Sequence, residues 1–186
     1  GSYPPHRASV MSSGTDSEAK LTEKDVKLVL LQHADGRLAL ERGDVDAWAG
    51  LDPLMAAAEV ESGAKLFHRK AADNTWGILN VREAFAKENP ALVRKVLAAY
   101  EQARTYALAN PAELKKTLVT YTKLSDAVIE RQLTRTELTH SSIGSAQAET
   151  IIAAGLALQE AGVVPAKTDV KAVVDDLLDR SFAVTN

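Results

Sequence analysis

The first third of the chain alternates short apolar runs with short helical patterns. The runs that predict buried strands cover residues 26–31, 45–50 and 65–68. Between them, residues 34–42 and 54–62 have helical spacing and stop at Gly43 and Gly63, which is typical of helix C-termini. The order strand, helix, strand, helix, strand predicts a parallel sheet with helices packed on it.

Beyond residue 74 the pattern becomes almost entirely helical. One more strand-like run covers residues 75–81. Apolar positions then recur at helical spacing, and the predicted helices cover residues 91–108, 111–121, 125–133 and 145–161. Pro90 and Pro111 stand where two of these helices begin, and Thr168-Asp169 caps a last helix that reaches Leu178.

Composition and motifs exclude several classes of function. The chain has 186 residues, is 46% hydrophobic and 25% charged, and its net charge of -3 offers no basic face for nucleic acid. It has no cysteine, and its four histidines lack the spacing of a metal site. No phosphate loop, dinucleotide fingerprint or nucleophile elbow occurs, and no apolar run approaches the roughly 20 residues of a membrane span. We therefore expect neither an enzyme nor a bound cofactor or metal.

One segment, residues 45–53, combines features of a ligand site. Trp48 and Gly50 lie at the carboxyl end of a predicted strand, and Asp52 with Pro53 predicts the start of a helix, with Asp52 as the N-cap and Pro53 as the first helical residue. Ligands of open α/β sheets bind outside the carboxyl ends of the strands, and a helix N-terminus offers N–H groups to an anion. Alternatively, Trp48 is a core aromatic residue and Asp52 only a helix cap.

Several runs resemble solute-binding proteins of ABC transporters, of the alkanesulfonate/nitrate/taurine type. The resembling runs are Leu31-Gln32, residues 39–48, Asp52-Pro53, residues 56–59 and 74–81, Phe85 with Asn89-Pro90, residues 110–113, and residues 162–165 with Val170. They occur in the family's order across residues 21–182, and correspond to the C-terminal half of such a protein.

The resemblance implies the fold class and the domains. The fold would be α/β, a partial periplasmic-binding-protein fold of the second type with a second lobe and C-terminal helices, closing on its ligand by a hinge motion. Residues 1–21 would be a tag, linker or truncated segment, since Gly1-Ser2 resembles a protease remnant and these residues show no signal-peptide pattern. Residues 22–80 would form the ligand-closing lobe, and residues 81–186 the helices that complete the first lobe.

The resemblance also implies a function outside the cytoplasm, in the periplasm or on a lipid anchor. The protein would capture a small organic anion, an aliphatic sulfonate, and deliver it to the membrane permease of an ABC importer, without a cofactor. The expected ligand-binding residues are Trp48, Gly50, Asp52, Thr75, Trp76, Ser13 and Thr15.

Each residue has an expected role. The two tryptophans would be apolar walls for the organic tail, Asp52 would cap a helix that faces the cleft, and the hydroxyl of Thr75 would donate a hydrogen bond. Gly50 and Leu51 replace an aromatic residue that the family often has, which predicts a wider cleft. Ser13-Gly14-Thr15 resembles a turn that often holds the anion in this family, and the alternative is that the segment is a tag or linker. No carboxylate follows Thr75, which argues against an amino-sulfonate.

Two alternatives remain open at this point. The same fold serves in binding or synthesis of the pyrimidine precursor of thiamin, although the enzymes need histidine and cysteine clusters. The chain could also be a truncated helical fragment that binds no ligand and self-associates. That reading rests on helix faces with nothing to cover them, at Leu92, Val96, Tyr100, Ile151 and Leu158.

Overall fold

The computed structural model describes residues 7–9, 25–71 and 76–182. These residues form two compact units, and each unit takes two separate stretches of chain. The first unit contains the described residues up to Arg69 together with Ala112–Thr136. The second contains the described residues of Lys70–Pro111 and of Glu137–Asn186. This division differs from the predicted boundary at residue 80, because residues 112–136 pack with the N-terminal stretch.

The first unit contains a small parallel sheet, as predicted. Its strands are β1 at Arg7–Ser9, β2 at Lys27–Leu28 and β3 at Ala47–Trp48, in the order β2-β1-β3. Ala8 lies opposite Leu28 on one side and Ala47 on the other. The central strand therefore comes from the segment predicted to be a tag, linker or truncated piece.

The predicted strands are shortened or absent because a strand exists only where a neighbour pairs with it. β2 and β3 lie inside the predicted runs 26–31 and 45–50 but extend only opposite β1. The predicted strand at 65–68 is wrong, since these residues are irregular and Phe67 is 76% exposed. The described part of the predicted strand at 75–81 is irregular as well.

The two helices of the α/β segment end where the glycines predict. Helix α1 spans His33–Arg42 and α2 spans Leu54–Ser62. Gly43 and Gly63 follow them with φ of 75° and 68°. Only glycine adopts such left-handed backbone conformations without a steric cost, so both stops are local properties of the sequence.

The remaining helices match the predictions closely, except for the short one at Glu83–Glu88, which was not predicted. They are α3 at Glu83–Glu88, α4 at Pro90–Ala109, α5 at Pro111–Thr122, α6 at Asp126–Leu133, α7 at Ser145–Glu160 and α8 at Val170–Leu177, followed by a 3-10 turn at Arg180–Phe182. An asparagine-proline pair begins both α4 and α5, since proline disfavours a helical conformation in the residue before it. The side-chain amides of Asn89 and Asn110 donate to the carbonyl oxygens of Phe85 and Tyr106. The backbone N–H of each asparagine donates to the same oxygen, so each side chain adds a second hydrogen bond at the break between helices.

The core of the first unit lies between α2 and α6. Ala56 and Ala57 of α2 and Val128 of α6 are fully buried against one another. Alanine side chains let the two helices approach closely, and Leu124 packs at the edge of this cluster. This contact explains why residues 112–136 belong to the first unit.

The core of the second unit lies between α7 and α8. Ala148, Val170, Val174 and Leu178 are buried there, and Ile151 packs against them. The prediction that Ile151 lacks a cover is therefore wrong. On α4, the side chains of Leu92, Val96 and Tyr100 are 48%, 46% and 56% exposed. We call these three residues the α4 stripe. In the described part of the chain, no helix is long and apolar enough to span a membrane.

Candidate functional site

The loop Trp48–Asp52 follows β3 at its carboxyl end. Trp48 is half-buried, and its ring lies directly over Gly50. A Cβ atom at Gly50 would lie 2.5 Å from Cη2 and Cζ3 of the indole, well inside the ordinary contact distance. The sequence suggested that Gly50 leaves a wider cleft. The space beside Gly50 is instead filled by the ring of Trp48.

Asp52 closes the loop and caps the helix that follows it. Its Oδ1 accepts a hydrogen bond of 3.0 Å from the amide of Ala56, in the first turn of α2. The Asp52–Pro53 peptide bond is cis, and the helix begins at Leu54, one residue later than predicted. Asp52 therefore bonds an amide of the first turn, but the N-cap position predicted for it is occupied by Pro53.

The first turn of α2 has fewer free amides than the sequence suggested. The Met55 amide donates to the carbonyl oxygen of Leu51, and the Ala57 amide to that of Pro53, both at 3.0 Å. With Ala56 bonded to Asp52, the prediction of free N–H groups is wrong for these three residues. The aligned peptide dipoles of α2 still place partial positive charge near this end, but Asp52 and the carbonyl oxygens of Leu51 and Pro53 already accept from these three amides.

A cluster of four charged residues holds this loop. Arg135 donates from Nε to Oδ2 of Asp52 at 2.6 Å and from Nη2 to Oδ1 at 2.9 Å. Its Nη1 reaches Oε2 of Glu59 at 2.6 Å, and Arg131 reaches Oε1 of the same carboxylate at 2.7 Å. The side chain of Arg135 is only 7% exposed. We call Asp52, Glu59, Arg131 and Arg135 the acid–arginine cluster.

The cluster favours the charged forms of its members. The hydrogen bond to Asp52 is the main cause that raises the pKa of Arg135 further above its ordinary value. Arg131 and then Arg135 lower the pKa of Glu59, against the opposing effect of partial burial. Two carboxylates and two guanidinium groups therefore sit together as a neutral set.

Sequence reasoning missed Arg135, although a weak signal was present. Asp52 and Glu59 are seven residues apart, and Arg131 and Arg135 are four apart, which are spacings typical of one helical face, although Asp52 precedes α2 and Arg135 follows α6. Matching acidic and basic faces predict that two helices can pair. They do not predict which helices do so, because 83 residues separate Asp52 from Arg135.

Trp76 lies in the second unit, at the start of an irregular segment. It is half-buried, and its ring lies against that of His140, with centroids 4.7 Å apart and planes tilted by 56°. His140 is exposed. Thr75, Ser13 and Thr15 lie outside the described residues.

Other features of the described residues do not compete as sites. No group of three or more histidine and acidic residues could hold a metal ion in these ranges. An open groove of about 700 Å³ lies between residues 27–31 and α1. Leu28, Leu31 and Leu38 contribute to its lining, and none of the predicted ligand-binding residues does.

The chain is similar to a known protein family and to named proteins. The family model described as NMT1/THI5 like matches residues 9–114, more than half of the chain. An aliphatic sulfonates-binding protein of Escherichia coli (strain K12) is 32% identical over 87 residues, covering 46% of this chain and 27% of that protein. One of Bacillus subtilis (strain 168) is 28% identical over 158 residues, covering 82% of this chain and 46% of that protein.

Two solved structures share the fold. The alkanesulfonate-binding protein SsuA from Xanthomonas axonopodis pv. citri, bound to MOPS, superposes with a TM-score of 0.77 at 23% identity, over 91% of this chain and 62% of that one. The periplasmic aliphatic sulphonate binding protein SsuA from Escherichia coli gives a TM-score of 0.70 at 24% identity, over 90% and 61%.

These matches confirm the predicted fold class, a partial α/β periplasmic-binding-protein fold. The chain spans less than half the length of the two named relatives and about three fifths of the two structures. With its family pattern matched over more than half of its residues, the chain belongs to the NMT1/THI5-like family, and it is related to aliphatic sulfonate-binding proteins.

Proposed function

We propose that this chain is part of a periplasmic solute-binding protein that captures an aliphatic sulfonate and delivers it to an ABC permease. The observation that carries the proposal is the loop Trp48–Asp52, which brings an aromatic wall to the carboxyl end of β3 and to the N-terminal end of α2. The names of the relatives support the ligand class.

The chemistry of the loop suits an anion with an alkyl tail. The half-exposed ring of Trp48 offers apolar contact area to the tail. The positive end of the α2 dipole favours a negative head group. Asp52 would repel that head group, but its charge is balanced by Arg135.

We further propose Trp76 as a second apolar contact for the tail of the ligand. Thr75, Ser13 and Thr15 are proposed as hydroxyl donors to the ligand. We propose that the ligand leaves unchanged, so no covalent step is assigned to any residue. Reproducible turnover of a sulfonate that is lost on mutation of this chain would contradict that part.

Calorimetric titration of the chain with straight-chain alkanesulfonates tests the proposal. We expect affinity to increase with tail length, because each buried methylene is worth about 0.8 kcal/mol. Trp48→Ala should weaken binding by about 1–3 kcal/mol and flatten the dependence on tail length. Tyr121→Ala is the matched control, since this aromatic side chain is 84% exposed and has no proposed role.

Two competing ligands make the test specific. Alkylammonium ions of the same tail lengths should not bind, because the proposed site favours a negative head group. An aminopyrimidine tests the thiamin-precursor alternative. Binding of the pyrimidine and of no sulfonate would replace the proposal with that alternative, and equal losses in Trp48→Ala and Tyr121→Ala would remove Trp48 from the site.

A further inference from the structure

Within the acid–arginine cluster, Arg135 bonds both carboxylate oxygens of Asp52, which ends the loop of the candidate site. We propose that Arg135 is a positioning residue for the loop Trp48–Asp52: it fixes Asp52 by two hydrogen bonds and balances its charge, so that an anion can approach α2. The effect on the ligand rests on the proposed function. The positioning itself does not.

The geometry of the pair supports positioning. Nε and Nη2 of Arg135 meet the two oxygens of Asp52 side by side, and such a fork fixes the orientation of a carboxylate as well as its position. Oδ1 of Asp52 also accepts from the Ala56 amide. Arg135 thereby orients the group that caps α2 and ends the loop carrying Trp48.

Burial distinguishes Arg135 from a surface partner. The side chain is 7% exposed, and its Nε, Nη1 and Nη2 atoms all donate to carboxylates. A guanidinium group so engaged has little capacity to contact a ligand directly. We therefore infer that it acts through Asp52 rather than on the ligand.

The charge argument is separate from the positional one. If Arg135 is removed, Asp52 keeps a carboxylate at the helix end where the anion is expected. Like charges a few ångströms apart at a protein surface repel enough to weaken binding by about 10- to 100-fold. Removing both charges together should therefore restore part of the affinity.

The chain offers a matched control in Arg37. It also bonds two carboxylates, Glu41 at 2.7 Å and Glu61 at 2.8 Å, and its side chain is 18% exposed. This set joins α1 to the C-terminal end of α2, away from the first turn. Arg37→Gln removes a similar number of ion pairs from the same unit without disturbing Asp52.

The first measurement needs no ligand. Hydrogen exchange of the Ala56 amide, resolved by NMR, is compared in the unmodified chain, Arg135→Gln and Arg37→Gln. We expect exchange to accelerate at least about tenfold in Arg135→Gln and to stay unchanged in Arg37→Gln, because only the former releases the acceptor of this amide. Equal rates at Ala56 in all three proteins would overturn the positioning role.

The second measurement is calorimetric titration with butanesulfonate. Arg135→Gln should bind about 10- to 100-fold more weakly, and the double variant Asp52→Asn/Arg135→Gln should recover a substantial part of that loss. Arg37→Gln should bind like the unmodified chain. If the single and double variants lose affinity equally, the charge-balancing role is wrong.

Two further outcomes remain decisive. If the unmodified chain binds no sulfonate, the proposed function fails, while the Ala56 exchange rates still decide the positioning role. If Arg135→Gln does not fold, Arg135→Lys takes its place, since lysine keeps the charge but cannot form the fork. Arg135→Lys should then show faster Ala56 exchange, and unchanged exchange would count against the proposal.

Discussion

The contact between Trp48 and Gly50 allows a sharp test of the loop. In Gly50→Ala, the added Cβ would lie 2.5 Å from two ring carbons and 2.7 Å from Cζ2. Carbon atoms in contact are ordinarily about 3.5–4.0 Å apart, so the ring must retreat by more than about 1 Å. The indole cannot keep its present position over the backbone.

The cost follows from what the ring loses. Forcing a side chain off its preferred rotamer costs about 0.5–1.5 kcal/mol. If instead the ring swings out and uncovers about 50 Å² of apolar surface, the loss is about 1.3 kcal/mol at 25 cal/mol per Å². Either route destabilises the first unit by about 0.5–1.5 kcal/mol.

Tryptophan fluorescence with urea denaturation measures both effects. The comparison is made in a Trp76→Phe background, because the chain has two tryptophans and Trp48 is then the only one. We expect a red-shifted emission and a lower midpoint for Gly50→Ala. Gly77→Ala is the control, since no atom lies within 4 Å of its added Cβ. Unchanged emission and stability in Gly50→Ala would refute the close contact.

Three other predictions concern the stability and assembly of the units. Ile129→Ala should lower the free energy of unfolding by about 2–5 kcal/mol because Ile129 is fully buried, whereas Leu30→Ala, at an 85% exposed position, should change it by less than about 0.5 kcal/mol. The pKa of Glu59 is lowered in the folded state, so its charge stabilises the fold fully above the ordinary value of 4.5, and this stabilisation is lost as the pH falls through the lowered pKa. The difference in unfolding free energy between the unmodified chain and Glu59→Gln should therefore shrink below about pH 4.5. Light scattering should show a mass that increases with concentration if the α4 stripe pairs between copies, and a monomer with a concentration-independent melt would exclude such pairing.

Predictions made from local signals were the accurate ones. The stops at Gly43 and Gly63 follow from left-handed backbone conformations that glycine adopts without a steric cost. The starts of α4 and α5 follow from proline, which restricts the residue before it. Each of these depends on a few neighbouring residues, so the sequence contains the whole cause.

The strands and the site depended on partners far away in the sequence. An apolar run at 65–68 has the composition of a strand, but no strand among the described residues pairs with it, while Arg7–Ser9 pairs on both sides without an apolar pattern. Trp48 and Asp52 could be assigned to one site from the sequence, because only three residues separate them along the chain.

By itself, the sequence determined the helix limits, the parallel α/β character of the first third, and the resemblance to a binding-protein family. Only the tertiary structure decided that Trp48 covers Gly50, that residues 112–136 pack on α2, and that Arg135 holds Asp52. The physical reason is the distance along the chain over which each interaction acts. Glycine and proline act through the backbone of adjacent residues, whereas an ion pair or a packed ring depends on where distant segments meet, which no local pattern encodes.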